Sequence, residues 1–277
     1  MDLIRSLIMG IVQGATEFVP VSSSGHLVLV PWWLNWPAPG LLFDAVVHWG
    51  TLVAVLAVFW RDLWRLARAW WISTWGLVRH TGSQSSEVKT DARVAWWIII
   101  GTIPGALAGF LFEDWFERLF ATPSAAAGLL LLTAVVLAAS ERWGRRDRDL
   151  EQTNAVDALL IGLAQAAAIA PGISRSGATM GMGLARGLRR DVAARYAFLL
   201  SGPIILGAGL FKLLDLLSAP GAGAQLPSLV VGFVAAAASG YGCIRLLLRY
   251  LQRGRLYPFS IYCAVVGVGS LLLALLR

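Results

Sequence analysis

Charge is scarce in this chain. Only 14% of its 277 residues are Asp, Glu, Lys or Arg, and 57% are apolar. Soluble domains carry about 25% charged residues, so a water-soluble globule is excluded and an integral membrane protein is indicated. Cysteine is scarcer still. Cys243 and Cys263 are the only two and both fall in apolar segments, which excludes a disulfide framework and a thiolate metal site and leaves them as packing residues. Histidine is limited to His26, His48 and His80. The first apolar segment is interrupted by Glu17 and lacks a small-residue cleavage pattern, so no signal peptide is expected. Nucleic acid is not expected as a partner.

Long apolar runs dominate what remains. A helix needs about 20 residues to cross a hydrocarbon core, and six stretches qualify: 43–60, 95–112, 121–139, 196–211, 226–244 and 256–276. Two more segments, 3–34 and 156–185, are hydrophobic but broken in the middle by Pro, Gly and Ser. These predict helix-loop-helix hairpins that dip into the membrane and turn back. The tryptophans at 32, 33, 36, 70, 71, 75, 96 and 97 read as interface anchors.

Lys and Arg accumulate in cytoplasmic loops, and here 18 of the 23 lie in four stretches, 61–93, 142–155, 186–195 and 245–255. The alternate loops, 113–120 and 212–225, offer only Arg118 and Lys212. Segment 156–185 therefore has basic clusters on both flanks and is expected to enter and leave on the cytoplasmic side. Within the 61–94 connection, Thr81-Gly82-Ser83-Gln84-Ser85-Ser86 reads as a mobile loop.

Symmetry completes the topology. A shift of 152 positions superposes Gly10 on Gly162, Gln13 on Gln165, Ala15 on Ala167, Ser22 on Ser174, Ser24 on Ser176 and Gly25 on Gly177. That density of identities argues for an internal duplication. The expected fold is all-α: a polytopic membrane protein of six transmembrane helices plus two re-entrant helix-loop-helix hairpins. Residues 1–277 form a single membrane domain whose halves, 1–142 and 154–277, are an inverted-topology repeat. An odd number of spans per half inverts the second copy, so the first hairpin enters from outside and both termini lie outside.

The two hairpin turns carry the polar chemistry. Gln13 and Glu17 are four residues apart and share a helix face. Pro20 ends that helix, Ser22, Ser23 and Ser24 make the turn, and His26 lies in the first turn of the next helix. In the second hairpin Pro171 and Gly172 break the chain, Ser174 and Ser176 cap, and Arg175 stands alone in an apolar stretch. A guanidinium at membrane depth costs at least about 2.5–3.5 kcal/mol on insertion scales and calls for an anionic partner. Serine-capped helix N-termini favour anions, and the planar fork of arginine grips phosphate through two hydrogen bonds. Together they describe a phosphate cradle. Glu17 adds a carboxylate for a divalent cation, Mg²⁺ or Ca²⁺, and His26 is placed to move a proton or attack phosphorus.

Structural readings stand beside these. Glu17 and Arg175 could be an ion pair that only joins two hairpins, the serines could be only caps, and His26 only a hydrogen bonder. Gln13 and Gln165 could share a packing role. Asp44 and His48, one helical turn apart, are either a local hydrogen-bonded pair or support for the site.

The runs QGATEFVPVSSSGH (13–26) and APGISRSGAT (170–179), with FDAVVHWGTL at 43–52, resemble the bacterial undecaprenyl diphosphate phosphatases, the family linked to bacitracin resistance. The resemblance covers essentially the whole chain. It implies a multi-pass enzyme of the bacterial inner (plasma) membrane that removes the terminal phosphate of undecaprenyl diphosphate to give the monophosphate carrier lipid used in cell-wall synthesis. It maps the acidic motif to Gln13 and Glu17, so this chain has the Gln version and lacks one metal-facing carboxylate. It maps the serine turn to Ser22, Ser23 and Ser24, the histidine to His26, and the second motif to Ser174, Arg175, Ser176 and Thr179. Glu17, Ser23, His26 and Arg175 are then the catalytic candidates, with Ser23 or His26 as nucleophile. Gln13, Ser22, Ser24, Ser174, Ser176 and Thr179 are the candidates for binding substrate, and Glu17 for metal. Expected partners are undecaprenyl diphosphate, membrane lipid and a second copy of the chain. A flippase or transporter of an anionic isoprenoid lipid is the alternative. The type 2 phosphatidic acid phosphatases, whose site also has Ser-Gly-His and Ser-Arg, need a second histidine shortly after the Ser-Arg pair, and no histidine follows Arg175.

Overall fold

The computed structural model of the chain describes all residues except 80–84, 113–118, 121 and 218–221, with backbone alone at 77–79, 211–217 and 222–224. The described residues form ten α-helices, a single 3₁₀ turn (Leu150–Gln152) and no β-strand. His80, Arg118 and most of the Thr81–Ser86 stretch lie outside the described residues, as does the side chain of Lys212.

Two helical hairpins begin the two halves of the sequence. In the first, α1 (Leu3–Phe18) and α2 (Ser23–Trp33) are joined by the turn at 19–22; in the second, α6 (Ala155–Ala167) and α7 (Arg175–Ala185) are joined by 168–174. Serine ends both turns. Ser22 Oγ accepts from the Gly25 amide at 3.2 Å and Ser174 Oγ accepts from the Gly177 amide at 3.0 Å, each satisfying a backbone donor that the helix leaves open. The remaining six helices are α3 (Leu41–Arg79), α4 (Ser86–Leu111), α5 (Pro123–Trp143), α8 (Arg190–Leu217), α9 (Ala222–Leu251) and α10 (Tyr257–Leu276). All six contain segments long and apolar enough to cross a membrane, so this is a multi-pass membrane protein.

The helices outrun the apolar windows. The 61–93 stretch, expected as a basic cytoplasmic loop, is mostly helix: α3 continues to Arg79 and α4 starts at Ser86. Arg190, Arg195, Arg245 and Arg249 likewise lie inside helices. Positive charge reports where a segment sits relative to the bilayer, not whether its backbone is coiled. Residues 61–79 contain no proline and place Leu66 and Ala69 in the core, which sustains the helix. The discontinuity in α3 is a kink at Phe59 (φ −105°, ψ 15°).

Small residues let the short helices approach the long ones. α1 packs against α9 and α6 against α4. A Cβ on Gly10 would stand 2.5 Å from the Gly232 carbonyl oxygen, and one on Gly162 would stand 2.5 Å from that of Gly101. The two hairpin turns also meet. The Gly172 amide donates to Ser22 Oγ at 3.2 Å and Ser176 Oγ donates to the Val19 carbonyl at 3.3 Å. Gly172 needs its left-handed φ of +101° here, because a Cβ would collide with the Ala126 carbonyl at 2.2 Å. Behind this junction, Phe18 meets Phe198 edge to face at 5.4 Å and Phe59 adds a third ring.

Polar clasps close the far ends of the hairpins. Asp157, fully buried at the start of α6, accepts from Arg186 at the end of α7 (2.7 Å) and from Arg148 (2.6 Å). Arg5 of α1 stands 5.3 Å over the Trp36 ring just past α2. Buried Glu141 at the end of α5 binds Arg190 and accepts from the Leu256 amide at 3.0 Å, capping α10.

Candidate active site

Glu17 is the centre of the polar cluster between the two turns. It lies in the last turn of α1, after which Pro20 stops the helix and the serines begin α2. Its side chain is 3% exposed, yet it is surrounded by donors. Oε1 accepts from Arg175 Nη2, and Oε2 accepts from Ser23 Oγ and, at 2.9 Å, from Gln13 Nε2. His48 Nε2 lies 3.7 Å from Oε2, and its Nδ1 donates to the Asp44 carbonyl at 2.6 Å. The 158 positions between Glu17 and Arg175 thus close to direct contact. His48 is thus bonded to Asp44 within its own helix, and its ring also faces the carboxylate.

Arg175 is the first residue of α7 and its side chain is 21% exposed. Its contact with Glu17 uses one nitrogen, and its other guanidinium N–H groups have no acceptor among the described residues. The amides of Ser23 and Ser24 at the start of α2, and of Arg175 and Ser176 at the start of α7, also lack acceptors among the described residues. Two helix N-termini and a guanidinium therefore converge beside one carboxylate, an arrangement that attracts a phosphate and can stabilise charge developing on it.

The other hydroxyls hold the turns. Ser22 Oγ lies 3.3 Å from Ser24 Oγ, and Ser174 Oγ lies 3.1 Å from Ser176 Oγ, the same spacing in both hairpins. Thr179 donates to the Arg175 carbonyl at 2.7 Å, one turn into α7. Gln165, the counterpart of Gln13, turns instead toward the Gly101 carbonyl at 3.4 Å.

His26 is 3% exposed and bonded at both ring nitrogens. A carbonyl oxygen can only accept, so Nδ1, 2.7 Å from the Ser22 carbonyl, carries the proton. Nε2 then accepts from the Tyr262 hydroxyl at 2.8 Å. Tyr262 is one of two residues that sequence reasoning missed. The other is Thr133, which accepts from the Ser174 amide and donates to the Gly172 carbonyl, both at 2.9 Å, so it pins the second turn from α5. Each is one of a few hydroxyl-bearing residues in a mainly apolar helix, a weak signal.

Oxygen ligands for a cation are few. Among the described residues no three His, Cys, Asp or Glu side chains cluster as a metal-holding group. Gln13 Oε1, however, is buried beside Glu17 without a hydrogen-bond partner. One carboxylate and one amide oxygen fit an ion such as Mg²⁺ that takes the rest of its shell from water and substrate phosphate.

The sequence matches the family model described as bacitracin resistance protein BacA over residues 6–269. Similar proteins named undecaprenyl-diphosphatase include one from Moorella thermoacetica, 43% identical over 262 residues, which are 95% of this chain and 94% of that protein. One from Thermomicrobium roseum is 41% identical over 98% of both chains. One from Desulforudis audaxviator is 42% identical over the full length of both.

Proposed function

The chain belongs to the bacitracin resistance protein BacA family, and from that membership we propose that it is an undecaprenyl-diphosphate phosphatase of the bacterial plasma membrane, yielding undecaprenyl phosphate and inorganic phosphate. The observation that carries this reading is the three-way contact of Ser23, Glu17 and Arg175. It joins a nucleophile, a base and an anion binder within one buried cluster.

The lipid diphosphate presents its terminal phosphate to Arg175 and to the free amides of α2 and α7. Gln13, Ser22, Ser24, Ser174, Ser176 and Thr179 shape and hold this cradle. Ser23 Oγ attacks the terminal phosphorus while its proton passes to Glu17 Oε2. The bond from that phosphorus to the bridging oxygen breaks, and the lipid monophosphate leaves with the electron pair. Water then hydrolyses the phosphoserine, releasing inorganic phosphate and restoring the serine. A divalent cation, when bound, would be held by Glu17 and Gln13 Oε1 and would neutralise diphosphate charge. His26, bonded on both sides, supports the turn. Carriage of an anionic isoprenoid lipid without hydrolysis would leave the Ser23–Glu17 contact without a use.

Each hairpin re-enters on its own side in this reading, and the halves 1–142 and 154–277 form an inverted repeat with both termini outside. The clasps support re-entry, since Asp157 ties the first turn of α6 to the end of α7 and Arg5 reaches Trp36. Matching serine caps and the paired Gly10–Gly232 and Gly162–Gly101 crossings support duplication.

The test is phosphate release from undecaprenyl or farnesyl diphosphate by purified protein, with and without Mg²⁺. Turnover that is lost in Glu17→Ala and Arg175→Ala is expected. Full turnover in both variants, or none in the parent protein with either substrate, would overturn the proposal.

A further inference from the structure

An exposed apolar face of α3 lies apart from the two hairpin turns. Around the kink at Phe59, a shallow, open trough of about 520 Å³ is lined by Leu56, Trp60, Leu63, Trp64 and Ala67. The lining is apolar, and its tryptophans stand in the open: Trp60 is 59% exposed and Trp64 is 71% exposed. The opposite face of the same helix is spoken for. Leu66 and Ala69 are in the core, Asp62 binds Arg195 at 2.5 Å, and Trp70 meets Trp96 at 5.8 Å.

Helical geometry places charge beside this groove. At 100° per residue, Trp60, Trp64, Ala67 and Trp71 share an arc of about 60°, and Arg68, Arg61 and Arg65 fill the adjoining arc of about the same width. The Arg61 guanidinium rests 5.3 Å over the Trp60 ring. Arg65 is paired with Asp91 at 3.2 Å, whereas Arg61 and Arg68 are exposed and have no carboxylate partner among the described residues. Two uncompensated guanidinium groups therefore border an indole-lined trough. An aromatic stripe with cations along one edge suits the boundary where acyl chains meet anionic headgroups.

We propose that this groove binds an anionic phospholipid of the membrane, with an acyl chain along Leu56, Trp60, Leu63, Trp64 and Ala67 and the phosphate between Arg61 and Arg68. A zwitterionic lipid fills the same trough but gains less from the arginines, because its own ammonium offsets the phosphate. A lysine pair would serve less well, since guanidinium bonds phosphate through a fork and also stacks on indole. The site does not depend on the catalytic reading, as no hydrogen bond, ion pair or ring contact among the described residues links its lining to Glu17, Ser23 or Arg175.

The test uses the full chain in vesicles that contain either phosphatidylglycerol or phosphatidylcholine with brominated acyl chains, which quench nearby indoles. The signal of interest is the difference between the parent protein and Trp60→Phe/Trp64→Phe, which isolates these two rings. Brominated phosphatidylglycerol is expected to quench it with about fivefold greater apparent affinity than the phosphatidylcholine, the scale of one arginine at an anionic surface. The preference should vanish in Arg61→Gln/Arg68→Gln while quenching by the phosphatidylcholine persists, which shows that the groove itself is intact. Equal quenching by both lipids in the parent protein would reduce the groove to ordinary lipid contact and overturn the proposal. So would quenching by aqueous iodide alone, or loss of quenching on self-association, which would assign the face to water or to a second copy.

Discussion

The Tyr262 hydroxyl stands 2.8 Å from Nε2 of His26, and the two rings are stacked at 5.7 Å with 12° between their planes. The nitrogen that would attack phosphorus is therefore already accepting a hydrogen bond, while the Ser23 hydroxyl points at a carboxylate. This relationship separates two candidates that the motif alone leaves equal. The phosphoryl group is expected on Ser23, recoverable as acid-stable phosphoserine by mass spectrometry of an acid-quenched reaction. Ser23→Ala should lower turnover by about 10³-fold or more, as loss of a nucleophile does. Tyr262→Phe keeps the ring stack and removes one hydrogen bond of about 0.5–1.5 kcal/mol, so a two- to tenfold decrease is expected. An acid-labile phosphohistidine, with Tyr262→Phe faster than the parent, would move the nucleophile to His26.

Arg175 is held to Glu17 by one nitrogen, with the rest of its fork open to a ligand. Lysine could keep the contact with Glu17 but has no second arm for phosphate. Arg175→Lys is expected to lose about 2.7–4 kcal/mol of transition-state stabilisation, or roughly 10²–10³ in kcat/KM. Steady-state kinetics on farnesyl diphosphate measure it. Near-normal turnover would mean that the charge matters and the fork does not.

Much of this architecture was legible because membrane insertion constrains sequence strongly. Six apolar runs became six long helices, and the Pro20 and Pro171–Gly172 breaks became the two turns. The approach of Glu17 to Arg175 was also legible, since a buried guanidinium has few ways to be compensated. The length of α3 was not. Arg61, Arg65 and Arg68 look like loop residues, but their helix is decided by Leu66 and Ala69, whose burial against the core no local pattern of charge reveals. Tyr262 and Thr133 were hidden for a different reason. A few scattered hydroxyls in an apolar helix do not say which of them serves the site, and the partner lies far along the chain: 236 positions separate Tyr262 from His26.

Gln13 offers a direct test of how the site handles a cation. Its Nε2 donates to Glu17 at 2.9 Å, while its Oε1 is buried and unpartnered. Gln13→Glu replaces that donor with a second carboxylate, and two carboxylates this close repel unless a cation or a proton lies between them. The variant should bind Mg²⁺ more tightly, with a half-activating concentration lower by about tenfold, the value of 1.4 kcal/mol. It should also be less active than the parent after chelation. A Mg²⁺ titration of phosphate release checks both, and unchanged metal dependence would remove Gln13 from the cation's surroundings.

Asp157 shows how far from the turn the site is supported. Its carboxylate is fully buried and joins Arg148, Arg186 and the Asn154 amide (3.1 Å), so it clasps the first turn of α6 to the last turn of α7. That hairpin carries Arg175. Asp157→Asn retains a side-chain oxygen for the Asn154 amide but leaves both guanidinium groups uncompensated. Breaking a buried pair costs about 3–5 kcal/mol. Arg148 and Arg186 are 24% and 35% exposed, so water recovers part of that charge. A loss of about 2 kcal/mol is expected, or roughly 4–8 °C in Tm for a chain of this size. Because the far end of α7 would lose its ionic clasp, kcat/KM should fall as well, while the affinity for Mg²⁺, proposed to be set on the other hairpin, should not. Thermal unfolding in detergent measured alongside the metal titration separates the two: a variant with altered metal affinity and unchanged Tm would mean that Asp157 acts on the site electrostatically rather than by holding the hairpin closed.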